Sequence, residues 1–180
     1  MIKSVKTLLD DVFVIQCKTF KDRRGTFTEL FNKEDYGDIG IEKRVPPIEF
    51  LQDDVSVSSA HVLRGIHGDN ETWKLVSCIR GYIYAVVVDC REEERTFGRW
   101  QAVLLIGPET GEMIQQLLIP PCFGFAHLVL SEYAILHYKQ STYYGQCQQF
   151  TYRWDDPRFG ISWPISNPIL SERDEKGEVR

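Results

Sequence analysis

The stretch Arg64-Gly65-Ile66-His67-Gly68-Asp69, with Trp73-Lys74-Leu75 close behind it, sets an imidazole near two cations. A histidine titrates close to neutral pH and can take and release a proton, and a neighbouring lysine can hold the anion that such a transfer leaves. Glycines on either side of Ile66-His67 permit sharp changes of backbone direction. A short strand bent there can aim the imidazole and the Arg64 guanidinium into one cavity instead of toward opposite faces. The same local sequence also fits solvated strand-edge charges beside a satisfied turn histidine.

Later residues read in two ways as well. Tyr138 alternates in phase with Ala134 and Leu136 and so shares their face, either as a core tyrosine or as a phenol donor. Lys74 points away from the face of Trp73 and Leu75. His127, between Ala126 and Leu128, has the setting of a buried, hydrogen-bonded histidine. Asp155-Asp156-Pro157 reads by itself as a turn, because Asp and Pro favour turns for backbone reasons.

These side chains must be positioned by strands. Period-2 or β-branched runs occur at residues 12–16, 26–31, 50–53, 60–64, 73–78, 82–89, 99–105, 116–119, 126–130 and 134–139, with turns marked by Arg80-Gly81, Gly107-Pro108 and Pro120-Pro121. A helical turn is expected only over residues 32–40, capped by Asn32. Such spacing predicts an all-β antiparallel sandwich or jelly roll. Residues 171–180 read as a charged, flexible tail.

With 180 residues the chain is long enough for one domain, taken as 1–180, with a sizeable core. A net charge of −5 with no concentrated basic face excludes a general nucleic-acid binder, yet leaves room for an anionic small ligand held by inward-facing Arg and Lys. The five cysteines form no CxxC pair, which predicts reduced thiols in the cytoplasm and neither a disulfide frame nor a zinc cluster. Charges break the N-terminal apolar run too early for a signal peptide, and no segment approaches the roughly 20 apolar residues of a membrane helix.

Motifs spread over residues 13–174 carry a resemblance. They include Asp22-Arg23-Arg24-Gly25 with Glu29, Gln52-Asp53, Leu63-Arg64-Gly65-Ile66-His67, Lys74-Leu75-Val76, Leu128-Val129-Leu130-Ser131-Glu132, Tyr138-Lys139, Trp154-Asp155-Asp156-Pro157 and Trp163-Pro164. In this order the chain resembles the nucleotide-sugar 3,5-epimerases of the cupin superfamily. The resemblance implies a cupin-type jelly roll and a cofactor-independent isomerase that inverts carbon 3 and/or carbon 5 of a nucleotide-activated 4-keto sugar. It implies His67 as general base, Asp156 as the carboxylate orienting it, Tyr138 as general acid on the opposite face and Lys74 as the enolate-stabilising cation. Arg24, Glu29, Gln52 and Arg64 correspond to substrate and diphosphate contacts, and His127 joins them. A homodimer is implied too, with Arg24 and Glu29 serving the neighbour's site.

The chain departs from the usual family pattern at Cys122-Phe123-Gly124-Phe125-Ala126-His127, where Phe125 stands at the position of a family histidine and His127 follows on the same strand face. This segment and its surroundings look more like the branch acting on GDP-4-keto-heptoses in capsule and surface-polysaccharide pathways. A GDP-linked heptose is therefore the expected substrate, with dTDP-4-keto-6-deoxyglucose of rhamnose biosynthesis, or a 3,4-ketoisomerase, as alternatives. A metal-dependent cupin fits less well, since a His-x-His pair is missing. A sugar-binding jelly roll without activity would not need His67, Asp156, Lys74 and Tyr138 together.

Overall fold

The computed structural model describes residues 2–9, 11–37, 47–109 and 113–177. Among these described residues twelve strands and two short helices follow one another. They are β1 (Ile2–Leu9), β2 (Val12–Asp22), β3 (Gly25–Thr28), α1 (Lys33–Gly37), β4 (Gln52–Ser59), β5 (Leu63–Asp69), β6 (Lys74–Arg80), β7 (Tyr82–Asp89), β8 (Trp100–Ile106), β9 (Met113–Ile119), β10 (Phe123–Val129), β11 (Tyr133–Gln140), β12 (Gln149–Thr151) and α2 (Glu172–Lys176). No helix among the described residues is long and apolar enough to cross a membrane.

The strands form two antiparallel sheets. One runs β1-β2-β9-β6-β11-β4, with β3 paired to β2; the other runs β12-β5-β10-β7-β8. This is the jelly roll that the short-strand spacing predicts. Alternation explains the packing between the sheets. Val12, Val14, Val76, Cys78, Leu117, Ile119 and Leu136 from the larger sheet meet Ile83, Ala85, Val87, Leu105, Phe123 and Val129 from the smaller one, all of them buried.

The outer faces are also covered. Leu30, Phe31, Tyr36, Ile48 and Phe50 pack over Phe13, Ile15, Leu75 and Leu118 of the larger sheet, and Phe150, Tyr152, Phe159 and Trp163 pack over Ile66, Val86 and Val88 of the smaller. Tyr36 is pinned by its hydroxyl to Gln116, whose amide also donates to Ser77 Oγ at 2.7 Å and to the Leu30 carbonyl at 3.0 Å.

Several boundaries differ from the sequence expectations. The strand expected at 50–53 begins at Gln52 and runs to Ser59, and the one expected at 60–64 begins only at Leu63, because His61 turns the chain with φ +66°. β1 and β12 were not expected at all. The helical turn at Asn32 does form, with Asn32 Oδ1 accepting the Glu34 N–H at 3.1 Å, although residues 38–40 of that expectation lie outside the described residues. Residues 172–176 are not a loose tail. Ser171 caps α2, and Asp174 is only 3% exposed.

Candidate active site

A cavity of about 480 Å³ opens between the sheets beyond the apolar core. Its larger-sheet wall follows from plain alternation. Gln52, Asp54 and Ser56 on β4 pair with Gln140, Tyr138 and Leu136 on β11, which pairs in turn with Lys74 and Val76 on β6. All of these side chains line the cavity.

The smaller-sheet wall needs a distortion. Arg64 and His67 are an odd number of residues apart, so a regular strand would send them to opposite faces. The pairing of β5 with β10 slips between them: His67 lies opposite Phe125 and Arg64 opposite His127, so β5 carries one extra residue across this interval. This is a bulge, and it brings both side chains into the cavity. Gly65 makes it possible. Its φ of +116° disfavours any other residue, and a Cβ there would come within 2.5 Å of the Phe125 carbonyl oxygen.

His67 Nε2 lies 2.6 Å from Oδ1 of Asp174. The carboxylate oxygen also accepts the Gly65 N–H at 3.1 Å, while Oδ2 accepts the Ser171 hydroxyl at 2.7 Å. α2 is brought to this place by the chain before it. Leu63 N–H donates to the Ile169 carbonyl at 3.0 Å, and Ile169 N–H donates to that of His61 at 2.8 Å. Burial raises the Asp174 carboxyl, but the hydrogen bonds from His67, Ser171 and Gly65 outweigh it and hold it below its ordinary value. An ionised carboxylate at Nε2 accepts that N–H and leaves Nδ1 of His67 with the free lone pair.

The expected partnership of His67 with Asp156 is corrected accordingly. Asp156 accepts Arg158 Nε at 3.0 Å and Nη2 at 2.7 Å, with its own Oδ1 closing a turn onto the Arg158 N–H. It does not line the cavity. Its pKa is lowered, first by the Arg158 side chain, as befits a turn clamp. The Asp-Pro turn seen in the sequence is what this segment is.

Lys74 is largely buried, with Nζ 3.5 Å from Oδ2 of Asp69. Burial pulls its pKa below the usual lysine value and Asp69 pulls the other way. Asp69 is itself anchored: Oδ1 accepts the N–H groups of Thr72 at 2.6 Å and Glu71 at 3.0 Å. Tyr138 stands on the opposing sheet from His67. Burial, followed by Asp54 and Tyr144, raises its pKa, so the phenol keeps its proton at neutral pH.

Arg64 Nε donates to Ser58 Oγ at 3.1 Å, and Gln52 Oε1 accepts the Tyr144 N–H at 2.8 Å. The structure therefore gathers His67, Lys74, Tyr138, Gln52, Arg64 and His127 in one cavity. Arg24 and Glu29 are not among its lining residues. Arg24 sits at the turn of the β2–β3 hairpin, with its side chain 84% exposed and paired to Asp22.

The sequence pattern does not single out Asp54, Ser56, Gln140, Tyr144 or Gln149 of the lining, nor Arg173 and Asp174, which both lie in the stretch that reads as a tail. Arg173 lines the cavity with Nε donating to Thr151 Oγ1 at 2.8 Å. The available signal was Ser171-x-x-Asp174, a helix-start pattern in which the serine accepts the Asp174 N–H, here at 3.2 Å. Among the described residues no group of three or more His, Cys, Asp or Glu side chains converges in a way that could hold a metal ion.

Known proteins resemble this chain in sequence and fold. The profile of the dTDP-4-dehydrorhamnose 3,5-epimerase family matches residues 6–179. A dTDP-4-dehydrorhamnose 3,5-epimerase of Shigella flexneri is 37% identical over 177 residues, covering 97% of this chain and 93% of its own. The 3,5-epimerase of Legionella pneumophila, solved in complex with dTDP-4-keto-L-rhamnose, superposes with a TM-score of 0.84 at 34% identity, over 97% of this chain and 90% of that one. The dTDP-4-dehydrorhamnose 3,5-epimerase of Bacillus anthracis, with TDP and PPi bound, gives 0.87 at 31% identity and covers 100% of both chains.

The jelly roll with its cavity between the sheets is thus that of the cupin-type nucleotide-sugar epimerases, and the protein is an isomerase. More narrowly, the chain belongs to the dTDP-4-dehydrorhamnose 3,5-epimerase family. The expectation of a GDP-linked heptose finds no support in these relatives, whose descriptions all carry a dTDP-linked sugar.

Proposed function

We propose that this protein inverts carbons 3 and 5 of dTDP-4-keto-6-deoxyglucose. The observation that carries the reading is the His67–Asp174 pair on one cavity wall with Tyr138 on the other and Lys74 in the same cavity. A C–H bond next to a ketone is weakly acidic. Nδ1 of His67 takes the proton, and the bonding electrons pass into the enolate. The charge that develops on the ketone oxygen is held by the Lys74 ammonium in a largely buried setting, where a fixed cation is worth more than in water. The Tyr138 hydroxyl then delivers a proton to the face opposite His67, and both groups regain their starting state by exchange with solvent. No redox cofactor is required, because the oxidation state of the sugar does not change.

The positive charges of Arg64 and Arg173 suit the diphosphate. We also infer a homodimer in the cytoplasm. Its support is the β2–β3 hairpin, which carries Arg24 away from the cavity of its own chain and leaves Phe27 70% exposed. In a dimer this hairpin can reach a neighbour's site. Mixing Arg24→Ala with His67→Asn protein should restore activity if sites are shared, and should leave both inactive otherwise.

Incubation in deuterated water tests the reaction. With dTDP-4-keto-6-deoxyglucose, deuterium is expected at carbons 3 and 5 by mass spectrometry and NMR, together with the inverted product. Turnover of GDP-4-keto-heptose alone would overturn the substrate assignment. Movement of the carbonyl without inversion would overturn the reaction.

A further inference from the structure

His127 is 4% exposed, lines the cavity and lies opposite Arg64 across the β5–β10 pairing. Phe125 stacks on its ring with centroids 5.8 Å apart and planes inclined by 27°. The neighbouring polar groups on this wall are tied down, His67 by Asp174 and Arg64 by Ser58. The His127 imidazole has no hydrogen-bond partner among the described residues. Its nitrogens are not sealed off either; the only sealed, unpaired side-chain nitrogen among those residues is Nδ1 of His137, on β11.

Buried polar groups are nearly always paired, so an unpaired ring that opens on a ligand cavity finds its partner in the ligand. Burial, followed by the charges of Arg64 and His67, pushes the His127 pKa down to about 3. At neutral pH the ring is uncharged, with one N–H donor and one lone-pair acceptor. It is a poor match for an enolate oxygen, which a cation serves better, and a good match for a hydroxyl, which also donates and accepts.

We propose that His127 is a specificity-determining residue that reads a ring hydroxyl of the sugar, at carbon 2 or carbon 3, with Phe125 fixing the plane of its ring. The inference rests on the cavity being the 4-keto-sugar site proposed above. Leaving such a group unpaired costs about 5- to 150-fold.

The test compares dTDP-4-keto-6-deoxyglucose with its 2-deoxy and 3-deoxy analogues, reading kcat/KM for deuterium uptake. The wild-type protein is expected to prefer the parent over one analogue by the factor just given. His127→Phe keeps a stacking ring but no donor or acceptor, and its preference should fall toward one. His127→Gln, which restores a neutral donor and acceptor, should recover part of the preference and guards against a variant that fails to fold. An undiminished preference in folded His127→Phe, or a wild-type enzyme indifferent to both hydroxyls, overturns the proposal. Absence of deuterium uptake from the parent substrate by the wild type would instead overturn the epimerase reading and the present inference with it.

Discussion

Oδ1 of Asp174 lies 2.6 Å from Nε2 of His67 across 107 positions of sequence, so an imidazole on β5 is oriented by the short helix α2. Asp174→Asn keeps the shape but can no longer fix the tautomer with Nδ1 free. Deuterium uptake is expected to fall by about 10²- to 10⁴-fold, within the range that general-base catalysis supplies. His67→Asn should abolish uptake at both carbons. An Asp174→Asn enzyme with unchanged kcat would remove the pair from the mechanism.

Asp156→Asn makes the converse case. The lost Arg158 pair is at the surface and is worth about 1 kcal/mol or less. Turnover should stay within about twofold, with at most a small drop in the urea midpoint. A loss as deep as that of Asp174→Asn would restore Asp156 to the site.

Tyr138→Phe separates removal of the proton from its return. Solvent exchange should persist at a measurable rate while inversion stops at the centre that Tyr138 serves, as NMR of the recovered sugar would show. Full-rate epimerisation by this variant would rule out the phenol as the acid.

The Lys74–Asp69 pair makes a pH prediction. Asp69 raises the Lys74 pKa against the opposing effect of burial. In Asp69→Asn that support is lost, and Lys74 sheds its proton at lower pH. The alkaline limb of kcat/KM should move to lower pH, while Lys74→Ala should cost about 10²- to 10³-fold below that limb, where the wild-type lysine is charged. An unmoved alkaline limb would show that Lys74 ionisation does not govern it.

Acid stability follows from Asp174. Its folded carboxyl holds its proton less tightly than the unfolded one, so its contribution is complete above the unfolded pKa of about 3.9 and vanishes as pH falls through the lower folded value. Ser171→Ala removes one of its hydrogen bonds and the cap of α2. The acid-dependent loss should then be smaller and end at higher pH, with about 1 kcal/mol already gone at neutrality. Urea unfolding at a series of pH values measures both.

Much of the fold was legible because its central strands are strictly patterned. Residues 82–89 match the observed strand, and 134–139 fall within a residue of theirs at either end. The edge strands were harder. β4 pairs on one side only and alternates serine with outward-facing Val55 and Val57, so its apolar face looks the wrong way. β1 is interrupted by Lys3 and Lys6, and β12 has only three residues. In the site, alternation placed Tyr138 with Leu136 and set Lys74 against Trp73. It could not say which acidic turn packs on β5. Asp156 and Asp174 both sit in polar surroundings of similar composition, and the choice between them is made by the backbone bonds of His61 and Leu63 to Ile169, contacts that no local pattern reveals.

The single extra residue in β5 gives the site a counting rule. What the wall tests is parity: His67 faces inward because the steps from Arg64, odd in the chain, become even in the sheet. Register at this point therefore outranks identity. Paired with β10 residue for residue, without the slip, β5 would keep Arg64, His67 and the glycines in the sequence, yet turn the imidazole out of the cavity and leave Asp174 facing an empty place.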